Sequence, residues 1–213
     1  MAEEKINVAK TGTCTVGIVC KDALILVADK RGSAGEGLIL DKSAKKIYIL
    51  NENIAATIAG TVSDIQMVLK LAKAELELKR IKTKKFPTVK EAANLFAAIV
   101  YQNIRKFSPI LGISAFILGG KDTSGVSLYE VHPDGTVTEQ RKFATTGAYG
   151  SIIGLGLLDN EWKPNMSVEE GKKLALKVVN TAIRRDATVG EGIDVVVIDK
   201  SGVSEIKEEK ISP

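Results

Sequence analysis

The sequence predicts an α+β domain, and three observations carry that expectation. Apolar segments of strand length recur in pairs across short turns. Longer segments with helical periodicity also come in pairs, and three of them open on a capping-box signature. The order along the chain is strands, two helices, strands, two helices, strands, which is the pattern of sheets covered by helix pairs. At 213 residues the chain suits one large domain with a substantial core. No internal repeat, linker or second domain interrupts it.

Residues 14–21 and 23–29 read as two strands joined at Lys21-Asp22. The second is apolar on both faces, so burial on both sides is expected. Residues 46–50 and 54–59 form another pair across Asn51-Glu52-Asn53. A long helix begins near Ser63, with Gln66 as its box partner, and Ile65, Val68, Leu69, Ala72 and Leu76 share one face. A second helix follows Pro87, where Thr88 and Glu91 repeat the box, with a stripe of Ala92, Leu95, Phe96, Ile99 and Val100. Strands return at 114–120 and 126–131. Pro133-Asp134-Gly135 turns the chain into a strand at 136–140, and a further strand lies near Ala144-Thr145-Thr146. A third helix covers 151–158. A fourth runs from Ser167, boxed with Glu170, to Arg185. Strands at 193–199 and 203–206 close the chain.

Composition narrows the function classes. The hydrophobic fraction is 45%, yet no apolar run approaches the ~18 residues of a membrane span. Residues 1–10 mix charges of both signs without an apolar core, which excludes a secretory signal and fits a flexible leader or a propeptide. The net charge of +4 is mild. Its densest basic stretch, residues 79–85, reads as a solvated helix end in preference to a nucleic-acid surface. Cys14 and Cys20 would lie roughly 20 Å apart on an extended strand, too far for a disulfide. His132 is the only histidine, so a clustered Cys/His zinc site is not expected. A reducing cytoplasm is the natural setting.

Rival motifs fail on spacing. Gly119-Gly120-Lys121 lacks the arrangement and the following Ser or Thr of a phosphate loop, and Gly154-x-Gly156 meets Asp159 where a dinucleotide fingerprint needs Gly or Ala. Cys14 is a candidate thiol nucleophile with His132. On a strand, however, it points opposite to Thr13 and Thr15, and a buried structural cysteine is the default.

The most informative segment is Gly12-Thr13-Cys14-Thr15-Val16-Gly17. A threonine hydroxyl is a weak nucleophile, and this chain has one histidine to activate it. Cleavage before the threonine solves the problem without a histidine. The freed α-amine has a pKa of about 7.7–8.0 and sits on the same residue as the hydroxyl it must deprotonate. Gly12 suits the scissile position because no side chain hinders a tight bend or attack on its carbonyl. Taken alone, the hexapeptide reads as a loop glycine followed by ordinary strand residues.

Its company decides otherwise. Asp29-Lys30-Arg31, Lys45-Lys46-Ile47-Tyr48, Thr57-Ile58-Ala59-Gly60 and Arg185-Asp186 follow in an order and at spacings that closely resemble a proteasome β-subunit of the archaeal type. The resemblance runs from Thr13 to about Asp199. It implies a four-layer αββα sandwich of the N-terminal-nucleophile hydrolase type, with residues 1–12 as propeptide and 13–213 as the catalytic domain. It implies Thr13 as nucleophile and Lys46 as the lysine beside it, with Asp29 as that lysine's partner. Asp186 would orient the N-terminal end of the site, and the Gly60 N–H would serve as oxyanion donor. Arg31, Ser33 and Ile58 take the substrate-binding positions. Ile58 lines the pocket for the residue before the cut, and the Ser33 segment pairs with extended substrate.

The resemblance also implies partners: other β-subunits in a seven-membered ring, α-subunit rings stacked outside, a separate ATP-dependent unfolding ring, and polypeptide as substrate. It calls for no cofactor or metal, no nucleic acid and no membrane.

Three departures from the family pattern bear on activity. Gly147-Ala148-Tyr149-Gly150 carries one extra residue and places Ala148 where active members have serine, with Ser151 as a possible replacement. Val189 stands where they have a second serine. One extra residue lies between Asp29 and Lys46, within the Gly-rich segment 32–40. Each lost hydroxyl would cost about one to two decades of rate. Two functions of different classes therefore stand: a threonine-type endopeptidase that cuts itself after Gly12, and a non-catalytic β-subunit that completes a mixed ring. A free-standing amidohydrolase of the same fold is a third.

Overall fold

The computed structural model describes residues 12–35, 37–109, 111–147 and 149–211. Residues 1–11 of the expected propeptide and the expected serine-to-alanine departure at Ala148 lie outside them. In chain order the first half comprises β1 (Cys14–Val19), β2 (Ala23–Asp29), β3 (Gly32–Ala34), β4 (Leu38–Asp41), β5 (Ile47–Asn51), β6 (Ile54–Gly60), α1 (Val62–Thr83) and α2 (Val89–Ile104). The second comprises β7 (Ser114–Asp122), β8 (Gly125–Val131), β9 (Val137–Gln140), β10 (Phe143–Gly147), α3 (Tyr149–Glu161), α4 (Val168–Arg185), β11 (Ile193–Asp199), β12 (Gly202–Val203) and β13 (Lys207–Glu209).

The strands form two large antiparallel sheets and a small hairpin. One sheet runs β10-β1-β2-β11-β12, with β13 also on β11, and the other runs β5-β6-β7-β8-β9. Alternation along each strand sends its side chains to two different cores. On β2, Ile25 and Val27 pack against α4 residues such as Leu174 and Val178. Their neighbours Leu24, Leu26 and Ala28 meet Ile117, Leu128 and Ala55 of the other sheet. Beyond that sheet, Ile54, Ala56, Phe116 and Leu118 pack against α1 and α2. The result is helix pair, sheet, sheet, helix pair. The doubly apolar β2 is buried at every position.

Local signals place the helices. Thr88 and Ser167 cap α2 and α4 through reciprocal boxes with Glu91 and Glu170. The expected box at Ser63 is absent: α1 begins at Val62, its cap residue Thr61 makes no side-chain capping bond, and the Ser63 hydroxyl turns to Asp64. The cause is tertiary. The Thr61 N–H donates to the Ile113 carbonyl, which turns the chain into the helix two residues before Ser63. The apolar face expected for α1 is buried in full. Of the strand expected at 203–206 only Val203 is in strand, in β12, and β13 begins beyond it at Lys207; at Ser204 the side-chain hydroxyl, not the backbone carbonyl, accepts from the Val197 N–H. Cys20 lies just beyond the end of β1 rather than on it.

β3 and β4 form a hairpin within the Gly-rich segment for which the sequence predicts no strand pair. Every residue of β4 is exposed.

Candidate active site

The expected site residues converge because the strand ends do. Thr13 is the residue before β1, Asp29 ends β2, Lys46 precedes β5, and Gly60 ends β6. Asp186 caps the C-terminus of α4, where its N–H donates to the Ala182 carbonyl at 2.8 Å. Loop 186–192 then folds back beneath Thr13.

Asp29 is the organising group. It is fully buried, and each carboxylate oxygen has two donors. Oδ1 accepts from Lys46 Nζ at 2.8 Å and from the Cys14 N–H at 3.0 Å. Oδ2 accepts from the N–H groups of Arg31 and Gly190, each at 3.1 Å. These four donors satisfy the buried carboxylate without water. Burial pushes the Lys46 ammonium below its ordinary range, and the Asp29 charge opposes that shift.

Lys46 Nζ also lies 3.4 Å from the Gly12 carbonyl oxygen. The Thr13 hydroxyl donates to that same oxygen at 2.6 Å. The candidate nucleophile therefore rests on the carbonyl of the bond expected to break, with a cation at the oxygen where negative charge would develop.

Gly12 is held tightly. Its N–H donates to Ser33 Oγ at 3.1 Å, and Ser33 Oγ donates to the Thr188 carbonyl at 3.3 Å. A β-carbon on Gly12 would fall 1.8 Å from Thr188 Oγ1, so no side chain fits.

Thr13, Lys46 and Gly60 share the wall of a cavity of about 290 Å³ with Arg31, Ser33 and Ile58. Leu40, Tyr48, Val62 and Ile65 add apolar surface, and Asp41, Lys45 and Gln66 add polar groups. Gly60 has φ +128°, and a β-carbon there would lie 2.2 Å from the Ile113 carbonyl oxygen, which fixes glycine at this wall.

Two expected site residues sit behind the cavity rather than on it. Asp29 acts through Lys46, and Asp186 reaches Gly12 only through Thr188. Asp186 Oδ1 accepts from the Thr188 N–H at 2.9 Å and from its hydroxyl at 2.5 Å. Arg31 borders the cavity, but its guanidinium is engaged elsewhere, donating to the Ala187 carbonyl at 2.6 Å and to Glu191 at 3.0 Å. It braces loop 187–191.

Val189 is buried in the core beside α4, the same core that holds Cys14. Ser151 donates to the Gly147 carbonyl at 2.8 Å. The Cys14 thiol is pushed up to about 12, by burial first and by the Asp29 charge second. That shift keeps it protonated and removes it as a rival nucleophile. Thr188 was not singled out in the sequence. The Asp-x-Thr pattern at 186–188, a local hydrogen-bonding turn, was the available signal.

Among the described residues no helix is long and apolar enough to cross a membrane.

Comparison with known proteins places the chain in a family. Residues 9–198 match the family model described as proteasome subunit. The chain is 42% identical over 202 residues to the proteasome subunit beta of Methanocaldococcus vulcanius, covering 94% of this chain and 88% of that one. It is 41% identical over 201 residues to that of Methanocaldococcus fervens, covering 94% and 87%. It is 35% identical over 211 residues to that of Archaeoglobus fulgidus, covering 99% and 95%.

Proposed function

Because this chain belongs to the proteasome subunit family and is a β-subunit of the core particle, we propose that it is a threonine-type endopeptidase released by its own cleavage after Gly12. The observation that carries this reading is the Thr13 hydroxyl 2.6 Å from the Gly12 carbonyl oxygen, beside the buried Lys46–Asp29 pair.

In self-cleavage, Thr13 Oγ bonds to the Gly12 carbonyl carbon. The hydroxyl proton passes to the Thr13 nitrogen, and the carbon–nitrogen bond breaks. This leaves Gly12 as an ester on Thr13. The α-amine is then free, and water hydrolyses the ester, releasing residues 1–12 as a carboxylate and restoring the Thr13 hydroxyl. Lys46 steadies the charge that gathers on the Gly12 oxygen. The new amine next serves as base for the same hydroxyl, which attacks substrate carbonyls through the same ester chemistry. Gly60, on the cavity wall, supplies the oxyanion N–H.

Substrate is unfolded polypeptide. β3 pairs only with β4 among the described strands, so its other edge is available to an extended chain. Ile58, Val62 and Tyr48 favour an apolar residue before the cut.

The subunit works in a seven-membered β-ring between α-subunit rings, fed by an ATP-dependent unfolding ring in the cytoplasm. Enclosure shields folded proteins from a protease of weak sequence preference. Exposed Met67, Leu71 and Ile81 on α1, and Tyr149 and Ile152 on α3, fit contacts between subunits.

A second reading is a non-catalytic β-subunit that stays uncut in a mixed ring. It is favoured by Val189, an apolar core residue where active members carry serine. Intact mass of the subunit from assembled particles, with and without a threonine-directed covalent inhibitor, separates the two. Loss of residues 1–12 with an adduct on Thr13 supports the endopeptidase, and a full-length, unlabelled chain supports the structural subunit. Thr13→Ala stays full-length under the first reading.

A further inference from the structure

The geometry points to the Thr188 hydroxyl as a positioning group that holds the Gly12–Thr13 junction for self-cleavage and then receives the freed Thr13 amine. This rests on the reading of Thr13 as a self-releasing nucleophile and explains how the site could work with valine at 189.

Three observations carry it. First, Thr188 closes the space around Gly12: a β-carbon on Gly12 would lie 1.8 Å from Oγ1, 2.0 Å from Cβ and 2.7 Å from the carbonyl oxygen of Thr188. Second, that hydroxyl has a defined direction. Its proton goes to Asp186 Oδ1 at 2.5 Å, so its lone pairs remain for other donors. Third, Asp186 is buried, and its second oxygen, Oδ2, has no hydrogen-bond partner among the described residues. A buried carboxylate oxygen without a donor is costly, and a new cation formed nearby would relieve that cost.

Self-cleavage supplies an amine that becomes that cation by taking the proton released when the ester is hydrolysed, and its neutral form remains the base for Thr13 Oγ. The bond that breaks joins the Thr13 nitrogen to Gly12. When Gly12 leaves, the new amine faces the space Gly12 filled. The walls of that space are Thr188 Oγ1, the Thr188 carbonyl and Ser33 Oγ. A protonated amine there donates to Thr188 Oγ1 while Asp186 accepts from the same hydroxyl. Before cleavage, the same wall keeps the Gly12 carbonyl on the Thr13 hydroxyl. Val189 makes no polar side-chain contribution, since its side chain lies in the core beside α4. The adjacent position thus provides the hydroxyl.

The test uses the full-length chain in assembled particles, with Thr188→Val and Thr188→Ser beside the wild type. Intact mass over time reads self-cleavage. Fluorogenic-peptide kcat and KM, normalised to released Thr13, read hydrolysis. Thr188→Val keeps the branched shape and removes the hydroxyl. It is expected to slow self-cleavage about tenfold and lower kcat about tenfold, with KM unchanged. Thr188→Ser is expected to restore both rates. Wild-type rates in Thr188→Val, or a serine variant as slow as the valine one, overturn the inference while leaving the endopeptidase reading intact. A wild-type chain that itself stays full-length overturns both. Should Thr188→Val not assemble, Thr188→Ala against Thr188→Ser gives the same comparison with less bulk against Gly12.

Discussion

Thr57 donates its hydroxyl proton to Thr15 across 3.0 Å, and this contact joins the two sheets two residues along from Thr13. Thr15 in turn shares a 2.8 Å hydrogen bond with Thr146. All three side chains are buried. Thr15→Val removes the middle hydroxyl and strands its two neighbours, so a loss of about 1–3 kcal/mol is expected. Urea denaturation reads it directly. An unchanged midpoint would show that Thr57 and Thr146 find other partners.

Asp29 and Lys46 predict an asymmetric pair of outcomes. Asp29→Ala leaves a buried ammonium uncompensated and three N–H groups without their acceptor. It is expected to cost about 3–5 kcal/mol, seen as a large drop in melting temperature. Lys46→Met leaves Asp29 with its three backbone donors. That variant is expected to fold and assemble yet show no self-cleavage by intact mass. Equal melting temperatures for the two would contradict the distinction.

Gly12→Ala tests the fit at the scissile residue. The added methyl collides with Thr188, so either the loop or the junction must move. A displacement of about 1 Å at reacting atoms can cost about a hundredfold. Self-cleavage of this variant, followed by mass over hours, is expected to fall by that order while assembly persists.

The thiols give a pH prediction. Burial pushes Cys14 up to about 12 and Cys20 up to about 11. In the native state both stay protonated at pH 8, so iodoacetamide should label neither until the chain unfolds. In the unfolded chain a thiol titrates near 8.5. Above that pH the unfolded state sheds protons that the folded state keeps, and stability falls as pH rises. The loss should set in near pH 8.5 and continue toward 11–12. A Cys14→Ala/Cys20→Ala variant should show a shallower decline in the same denaturation series.

The sequence and the structure agree where the signal is local or strongly periodic. The boxes at Thr88 and Ser167, the apolar face of α1 and the doubly buried β2 depend on neighbouring residues. Ser63 misled because a tether from another part of the chain, the Ile113 carbonyl, sets where α1 begins. The β3–β4 hairpin was illegible for a different reason. Leu38, Ile39 and Leu40 are all exposed, so no alternation marks the strand. Within the site, Thr13, Lys46 and Gly60 could be expected on one cavity wall because their motifs are distinctive. Thr188 was marked only by its local Asp-x-Thr turn, which does not show that it meets Gly12 from the opposite end of the chain. Nor does sequence spacing reveal that the Arg31 guanidinium braces a loop.

The bond from the Gly190 N–H to Asp29 spans 161 positions, and contacts of such separation form late in folding. A chain still on the ribosome carries Thr13 from the outset, since synthesis starts at that end. It lacks loop 186–192 until Gly192 has been added. On the proposed reading, a copy without that loop folded in place would not cleave itself. Removal of the leader would then mark, in one irreversible step, a molecule whose distant loop has been made and seated on Asp29.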